Sequence, residues 1–203
     1  MKKYAVLHEP GDIVTLAGTR FVVLDVERRG SLPDSLFLLA LESVGTSEFG
    51  SSNNYAESDL KKAVDKWLED MDKRGLDNAK LIPREIDLTT LDGSGCYGKL
   101  SVKAAPLTLD EAREYADIIP NAERWCWLAT GWSGPSKSDG DFALGVLSNG
   151  DWSISVCSGS YGIRPALKAP SVLFEDSETG LDLSKIPTDD LLQEIHRRLA
   201  EKA

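Results

Sequence analysis

The stretch "SGSYGIRPALKAP", Ser158 to Pro170, places a single arginine inside an apolar run and follows it at once with a proline. Two readings compete: a catalytic or anion-binding arginine on a loop, or a buried arginine closing the last strand of a domain. The neighbours favour the second. An arginine flanked by Ile163, Pro165, Ala166 and Leu167 must meet a carboxylate or several carbonyls, because an unpaired buried charge costs several kcal/mol. Pro165 cannot donate to a ladder, so it belongs at a strand edge or bulge. Arg164 is thus read as structural.

Working outward, the preceding residues "FALGVLSNGDWSISVC" read as a hairpin. Asn149-Gly150 is the pair that supplies the two positive φ angles of a type I′ turn between alternating runs. On the second strand Trp152, Ile154 and Val156 share one face, and Ser153, Ser155 and Cys157 the other. "RWCWLAT" before it reads as another strand, with Trp125 and Trp127 as core residues. At the other end of the chain "DIVTLAG", "TRFVVLDVER" and "DSLFLLALESV" read as three strands of a meander, with "AGTR" (Ala17 to Arg20) a tight hairpin loop and "RRGSLPDS" a longer one.

Between these strand regions the period changes. Leu60, Val64, Trp67, Leu68 and Met71 recur at helical spacing, Ser58 can cap the start and Gly75 stands at C′. "PLTLDEAREYADIIP" predicts a second helix, with Thr108 and Glu111 as a capping box, Pro120 as its stop, and Leu109, Ala112, Tyr115, Ala116 and Ile119 as its apolar face. The segment "LIPREIDLTTLDGSGCYGKLSVKAA" reads as loop with short strands. Residues 168–185 read as a linker, and residues 186–203 as a third helix with an apolar stripe of Leu191, Leu192, Ile195 and Leu199. That helix is the candidate surface for a homo-oligomer or another partner.

Composition narrows the function classes. Thirty-three acidic against 23 basic side chains give a formal charge of −10, which repels phosphate backbones where no basic cluster is gathered, so no nucleic-acid partner is expected. The start "MKKYAVLHEPGD" lacks the apolar core of a signal peptide, and no run of 18 apolar residues exists, so no membrane insertion is expected. The expected location is cytoplasmic or virion-associated. Three cysteines, Cys96, Cys126 and Cys157, without C-x-x-C spacing read as reduced structural thiols, and the two histidines, His8 and His196, give little material for metal or nucleophile chemistry.

Taken in order, "FGSSNNYAESDLKKAVDKWL", "APLTLDEAREY", "WCWLATGW", the "SNGDW" hairpin and "YGIRPAL" resemble a bacterial and phage domain family of uncharacterised function. Its hallmarks are a Gly-Ser-Asn-Asn-Tyr segment leading into a helix, a tryptophan-rich strand and a terminal Gly-Val-Arg-Pro-Ala-Leu. The resemblance covers about Phe49 to Leu167. It implies an α+β, C-type-lectin-like fold of mostly antiparallel short strands with two helices in residues 1–167. That fold is shared with formylglycine-generating enzymes and with retroelement-diversified variable proteins. In it the arginine matching Arg164 is buried and hydrogen-bonded, and the region after the tryptophan strand, with the following hairpin, forms the ligand face.

The polar loop "TGWSGPSKSDGDFA" and its surroundings are accordingly the candidate binding surface: Trp132, Ser133, Ser136, Lys137, Asp139, Asp141, Asn149, Trp152, Ser158, Ser160 and Tyr161. A solvated connector is the plain alternative for the loop, and a core position the favoured one for Trp152. Asp139, Asp141, Asn149 and Asp151 carry oxygens suited to calcium, but the Glu-Pro-Asn and Trp-Asn-Asp signatures of calcium-binding lectins are missing, so neither metal nor cofactor is expected. The paired cysteines or histidine triad of the fold's enzymes are also missing. The resulting expectation is a non-enzymatic recognition module for a protein or glycan ligand, in a sharper form a retroelement-diversified variable protein. A virion-associated assembly protein and an enzyme of the formylglycine-generating-like superfamily are the alternatives.

Overall fold

The computed structural model describes residues 8–29, 32–137 and 139–174; the predicted C-terminal helix at 186–203 and most of the predicted linker lie outside them. The described chain is α+β, with strands paired antiparallel except for one bridge.

Three strands open it as a meander: β1 (Ile13–Leu16), β2 (Thr19–Arg29) and β3 (Leu32–Ala40). The β1–β2 turn is made by Ala17 and Gly18, at φ 46° and 75°, and Leu16 pairs with Thr19 across it. This two-residue, positive-φ turn matches the right-handed twist of its strands. The predicted long loop "RRGSLPDS" is instead mostly ladder, since β2 and β3 stay paired out to Arg29 and Leu32, through register shifts between Val23 and Asp25 and between Glu27 and Arg28. Side chains sustain the extension: Ser35 donates to Glu27 at 2.8 Å, and Lys168 ion-pairs with the same Glu27.

After β4 (Thr46–Glu48) comes α1 (Asp59–Lys73), where Ser58 Oγ accepts the Lys61 N–H at 2.9 Å and Gly75 takes φ 102° just past the end. Its Leu60, Val64 and Met71 are fully buried, each worth about 1.5–3 kcal/mol of apolar burial. The next region is loop with short strands, β5 (Arg84–Asp87), β6 (Lys99–Val102) and β7 (Ala104–Ala105). The second helix, α2 (Leu109–Glu114), has the expected capping box but is shorter than predicted, ending in turns at Tyr115, and Ala116 is exposed. Both of its ends are tied early: Leu109 N–H donates to Thr130 Oγ1, and Ile118 and Ile119 N–H both return to Tyr115 C=O.

The last third holds β8 (Cys126–Gly131), β9 (Phe142–Val146), β10 (Trp152–Val156), β11 (Ser160–Gly162) and β12 (Ala166–Pro170). Two five-stranded sheets result, in the orders β1-β2-β3-β12-β7 and β10-β9-β8-β11-β4, with β5-β6 as a separate pair. The chain passes between the large sheets four times: from β3 to β4, back to β7 by way of the β5-β6 pair, from β7 to β8, and from β11 to β12. At the last of these Pro165 stands outside either strand, its C=O accepting the Ala40 N–H at 2.9 Å. Strand β12 continues past Leu167 into the predicted linker, and a 3₁₀ turn (Ser171–Phe174) buries Phe174. The first core layer joins α1 to alternate residues of both sheets, such as Phe21, Leu38, Trp127 and Leu167. The second lies on their other faces under α2, around Val22, Leu39, Leu128 and Leu144.

The β9–β10 hairpin has the expected register, Trp152 opposite Val146 and Val156 opposite Phe142. Its turn differs from expectation. Only Gly150 is at positive φ (90°), Gly150 N–H returns to Leu147 C=O at 3.0 Å, and Leu147 N–H donates to Asp151 C=O at 2.7 Å. That is a three-residue loop built on a type I turn with glycine in the left-handed bulge position. The apolar face of β10 also points outward: Trp152, Ile154 and Val156 are 40%, 38% and 42% exposed, so the core reading of Trp152 is corrected.

Candidate functional site

Arg164 is 6% exposed. Its Nε donates to Ala40 C=O at 3.0 Å and one terminal nitrogen to Pro120 C=O at 3.1 Å. Carbonyls, not a carboxylate, meet the charge, and burial pulls the guanidinium pKa down. The arginine fastens the end of β3 and the segment after α2 to the crossing between the sheets.

The polar loop that follows β8 is held from beneath by one side chain. Asn53 donates from Nδ2 to Ser133 C=O at 2.9 Å and to Phe142 C=O at 3.0 Å, and from its main-chain N–H to Gly140 C=O at 3.1 Å. Gly131 makes room for it, because a Cβ there would lie 2.8 Å from the Asn53 amide carbon. Tyr97 O–H donates to Asn53 Oδ1 at 2.6 Å.

A second loop braces the first. Leu91 and Asp92 N–H donate to the carbonyls of Gly131 and Trp132 at 3.0 and 3.2 Å, and Lys137 Nζ reaches Asp92 at 2.6 Å. The Lys137 ammonium, with the Thr90 hydroxyl, holds the Asp92 carboxyl well below the usual carboxylate range. On the far side Cys157 N–H donates to Asp141 C=O at 2.7 Å. The turn bearing Ser158 is thereby locked to the loop's end.

This architecture brings Trp132, Ser136, Lys137, Asp139, Asp141 and Ser158 to one end of the second sheet, where β8 ends, β9 begins and β10 ends. Trp132 is half-buried, the other five exposed. Ser133 is at the same place but buried, with its hydroxyl unpartnered and its carbonyl taken by Asn53; it supports the loop and is not surface. Ser160 and Tyr161 follow on β11. Tyr161 packs on Trp125 at 4.2 Å between ring centroids and accepts a hydrogen bond from Ser155 Oγ at 2.9 Å.

Asn149 and Trp152 do not join this group. They lie at the opposite end of the β9–β10 hairpin, about 13 Å away for four strand residues at about 3.3 Å each. Asn149 Nδ2 donates to Asp151 at 2.7 Å, and Trp152 lies 5.1 Å beneath the Arg113 guanidinium. The four candidate calcium oxygens are split in the same way, Asp139 and Asp141 at one end, Asn149 and Asp151 at the other. No single cation with ligands at about 2.3–2.6 Å can be reached by both pairs. Among the described residues no group of three or more His, Cys, Asp or Glu side chains converges as a metal site.

A separate open cleft of about 230 Å³ lies beside α2, walled by Asp25, Glu27, Arg84, Glu114 and Lys168 over Phe37 and Tyr115. Two of its carboxylates are engaged, Glu27 by Lys168 and Ser35, which lower its pKa, and Glu111 by Arg84. Buried Arg84 also donates to Ala105 and Pro106 C=O at 3.0 and 3.2 Å and lies 5.2 Å from the Phe37 ring centroid.

Sequence reasoning missed Asn53, Tyr97 and Asp92, which hold the loop. The signal for Asn53 was available in the quoted "GSSNNY" segment. Tyr97 and Asp92 sit in a glycine-rich stretch without period, where no local pattern points to a distant partner. No family model, curated protein or solved structure matches the chain. No helix among the described residues is long and apolar enough to cross a membrane.

Proposed function

We propose that the protein is a recognition module of C-type-lectin-like arrangement that binds a protein or glycan ligand through the loop spanning Trp132 to Asp141 together with the Ser158 turn. The observation that carries the reading is the division of labour in that loop. Its backbone is pinned from below by Asn53 and from the sides by Asp92 and Cys157, while Ser136, Lys137, Asp139, Asp141 and Ser158 are exposed. A backbone ordered before binding leaves less entropy to lose on association, which is what a polar surface of modest apolar content needs. The lectin-like arrangement is supported by the pairing of the last strand with the opening meander and by a second sheet in which the β8–β9 loop and the β10–β11 turn meet at one end.

The test is a screen of the full chain on glycan and displayed-peptide arrays, repeated with two variants. One replaces Ser136, Asp141 and Ser158 by Ala; the other replaces Asn149 and Trp152 at the far end of the hairpin. Ligands lost by the first variant and kept by the second support the reading. Ligands kept by the first variant at unchanged affinity, or no ligand for the wild-type chain on either array, refute it.

A further inference from the structure

Strand β10 has a neighbouring strand on one side only among the described residues. Its ladder fixes what the open side offers. Leu147 N–H donates to Asp151 C=O before the strand and Cys157 N–H to Asp141 C=O after it, in the register that sets Trp152 opposite Val146 and Val156 opposite Phe142. Backbone groups alternate in direction along an antiparallel strand, so Ser153 and Ser155 also turn theirs to β9, and Trp152, Ile154 and Val156 turn theirs to the open side. Trp152 and Ile154 present both N–H and C=O there. Val156 presents its N–H, since its C=O accepts the Gly159 N–H at 2.9 Å.

The same three residues carry exposed apolar side chains. Of Ile13, Leu91, Trp152, Ile154, Val156 and Val172, the exposed large hydrophobics of the described chain, half stand on this strand. Residues directly opposite in a ladder share a face, so a strand added here would set every second side chain against Trp152, Ile154 or Val156. Charge brackets the strand. Asp151 is exposed at its start and Asp141 at its end, opposite Cys157, whereas Arg113 over the Trp152 ring is balanced by Asp110 at 3.2 Å. A second copy of the chain fits this edge poorly. Antiparallel pairing about Ile154 would bring Asp151 of each copy to the end that carries Asp141 of the other, on chains with a formal charge of −10.

We propose that the open edge of β10 is a docking site for an extended peptide segment of another protein, which adds to the second sheet as an antiparallel strand and carries apolar side chains at alternate positions between basic residues. Main-chain bonds to Trp152, Ile154 and Val156 hold the segment, and its alternate side chains widen the apolar stripe. Lys or Arg at its ends meets Asp151 and Asp141. The site stands apart from the Trp132 to Asp141 loop surface and shares only Asp141 with it.

The experiment is an NMR titration of the isotope-labelled full chain with the capped peptide Lys-Val-Thr-Val-Thr-Val-Lys, which at about 3.3 Å per residue spans β10 and both acidic ends. Expected are saturable shifts and slowed hydrogen exchange at the Trp152, Ile154 and Val156 amides, and about tenfold weaker binding of the peptide with Glu in place of both Lys. Ile154→Pro removes an outward N–H and keeps the ladder to β9. It should weaken binding about tenfold, and Asp151→Lys about threefold. Ser136→Ala with Ser158→Ala should leave binding unchanged. The proposal is overturned if these amides show no saturable shift, if the Glu peptide binds equally, or if Ile154→Pro and Asp151→Lys bind undiminished. Amides already protected in the free chain also overturn it: in a dimer by light scattering the occupant is a second copy, and in a monomer it is another part of the same chain.

Discussion

Tyr97 and Asn53, 44 positions apart, meet in a 2.6 Å hydrogen bond beneath the loop that carries the candidate binding residues. The tyrosine fixes Asn53 Oδ1, so the amide nitrogen is aimed at Ser133 and Phe142 C=O. Replacing Asn53 by Ala leaves the Ser133 carbonyl and the Tyr97 hydroxyl without these partners, while Phe142 C=O keeps the Trp132 N–H; the cost is about 1–3 kcal/mol for each group that water cannot reach. Asn53→Ala should therefore lower stability by about 2–4 kcal/mol, and Tyr97→Phe by about 1 kcal/mol. Urea unfolding monitored by tryptophan fluorescence measures both; equal effects would mean that the amide is not the principal tie.

Glu111 serves two structures at once. It completes the α2 capping box through Thr108 N–H at 2.8 Å and ion-pairs with buried Arg84. Loss of a cap costs about 1 kcal/mol, whereas an uncompensated buried charge costs about 3–5 kcal/mol. Glu111→Ala should thus destabilise by well over the cap value alone. The double variant Glu111→Ala, Arg84→Met should recover much of the loss, and a double-mutant cycle in guanidinium chloride reads the coupling.

The Lys137–Asp92 pair makes a pH prediction. Asp92 has a folded-state pKa depressed below its unfolded value of about 3.9. The pair's contribution is therefore present above the unfolded value and is lost only as pH falls through the lower folded one. The Asp92 carboxyl carbon should stay ionised in an NMR titration down to about pH 3, a range in which ordinary carboxylates already protonate. Lys137→Ala should move its midpoint up toward the ordinary value. No movement would mean that Thr90 alone holds the carboxylate.

Much of this fold is legible residue by residue, and the gaps share a cause. Ser58 and Gly75 announce both ends of α1, and Thr108 with Glu111 announces the start of α2, because caps are local chemistry. Asn149-Gly150 marks a turn correctly but not its type, since the Leu147–Asp151 bond adds a residue to the loop that dipeptide preference does not count. The alternation of Trp152, Ile154 and Val156 reveals a shared face; it does not reveal which face the rest of the chain covers. The supports of the candidate site, Asn53 to Ser133 and Asp92 to Lys137, are polar ties between distant segments, and periodicity carries no trace of such pairs.

The three thiols should separate cleanly by reactivity. Cys96 is exposed, while Cys126 and Cys157 are buried, with pKa values pushed up by burial to about 11 and about 12. The thiolate is the nucleophile, so both buried groups are protonated at pH 8 and shielded as well. Iodoacetamide on the folded chain should give one adduct, at Cys96, by intact mass and peptide mapping, and three after denaturation. A second adduct on the folded chain would show that one of the two buried sites opens readily.

Among the described residues strand β10 ends the second sheet with an unpaired edge, and its five residues, Trp152 to Val156, include no charge and no proline. Its outward side chains retain about 40% of their surface in water, whereas Phe49 in the first core layer retains none. Burial sets the cost of truncation, so Ile154→Thr should change stability by less than about 1 kcal/mol, against about 3–5 kcal/mol for Phe49→Ala. An uncharged apolar edge is also a template for pairing with another chain. Ile154→Lys should therefore lower light scattering on prolonged warming below the melting temperature. If Ile154→Thr costs as much as Phe49→Ala, the face is covered in solution and the exposure read from the fold is not the one the folded protein has.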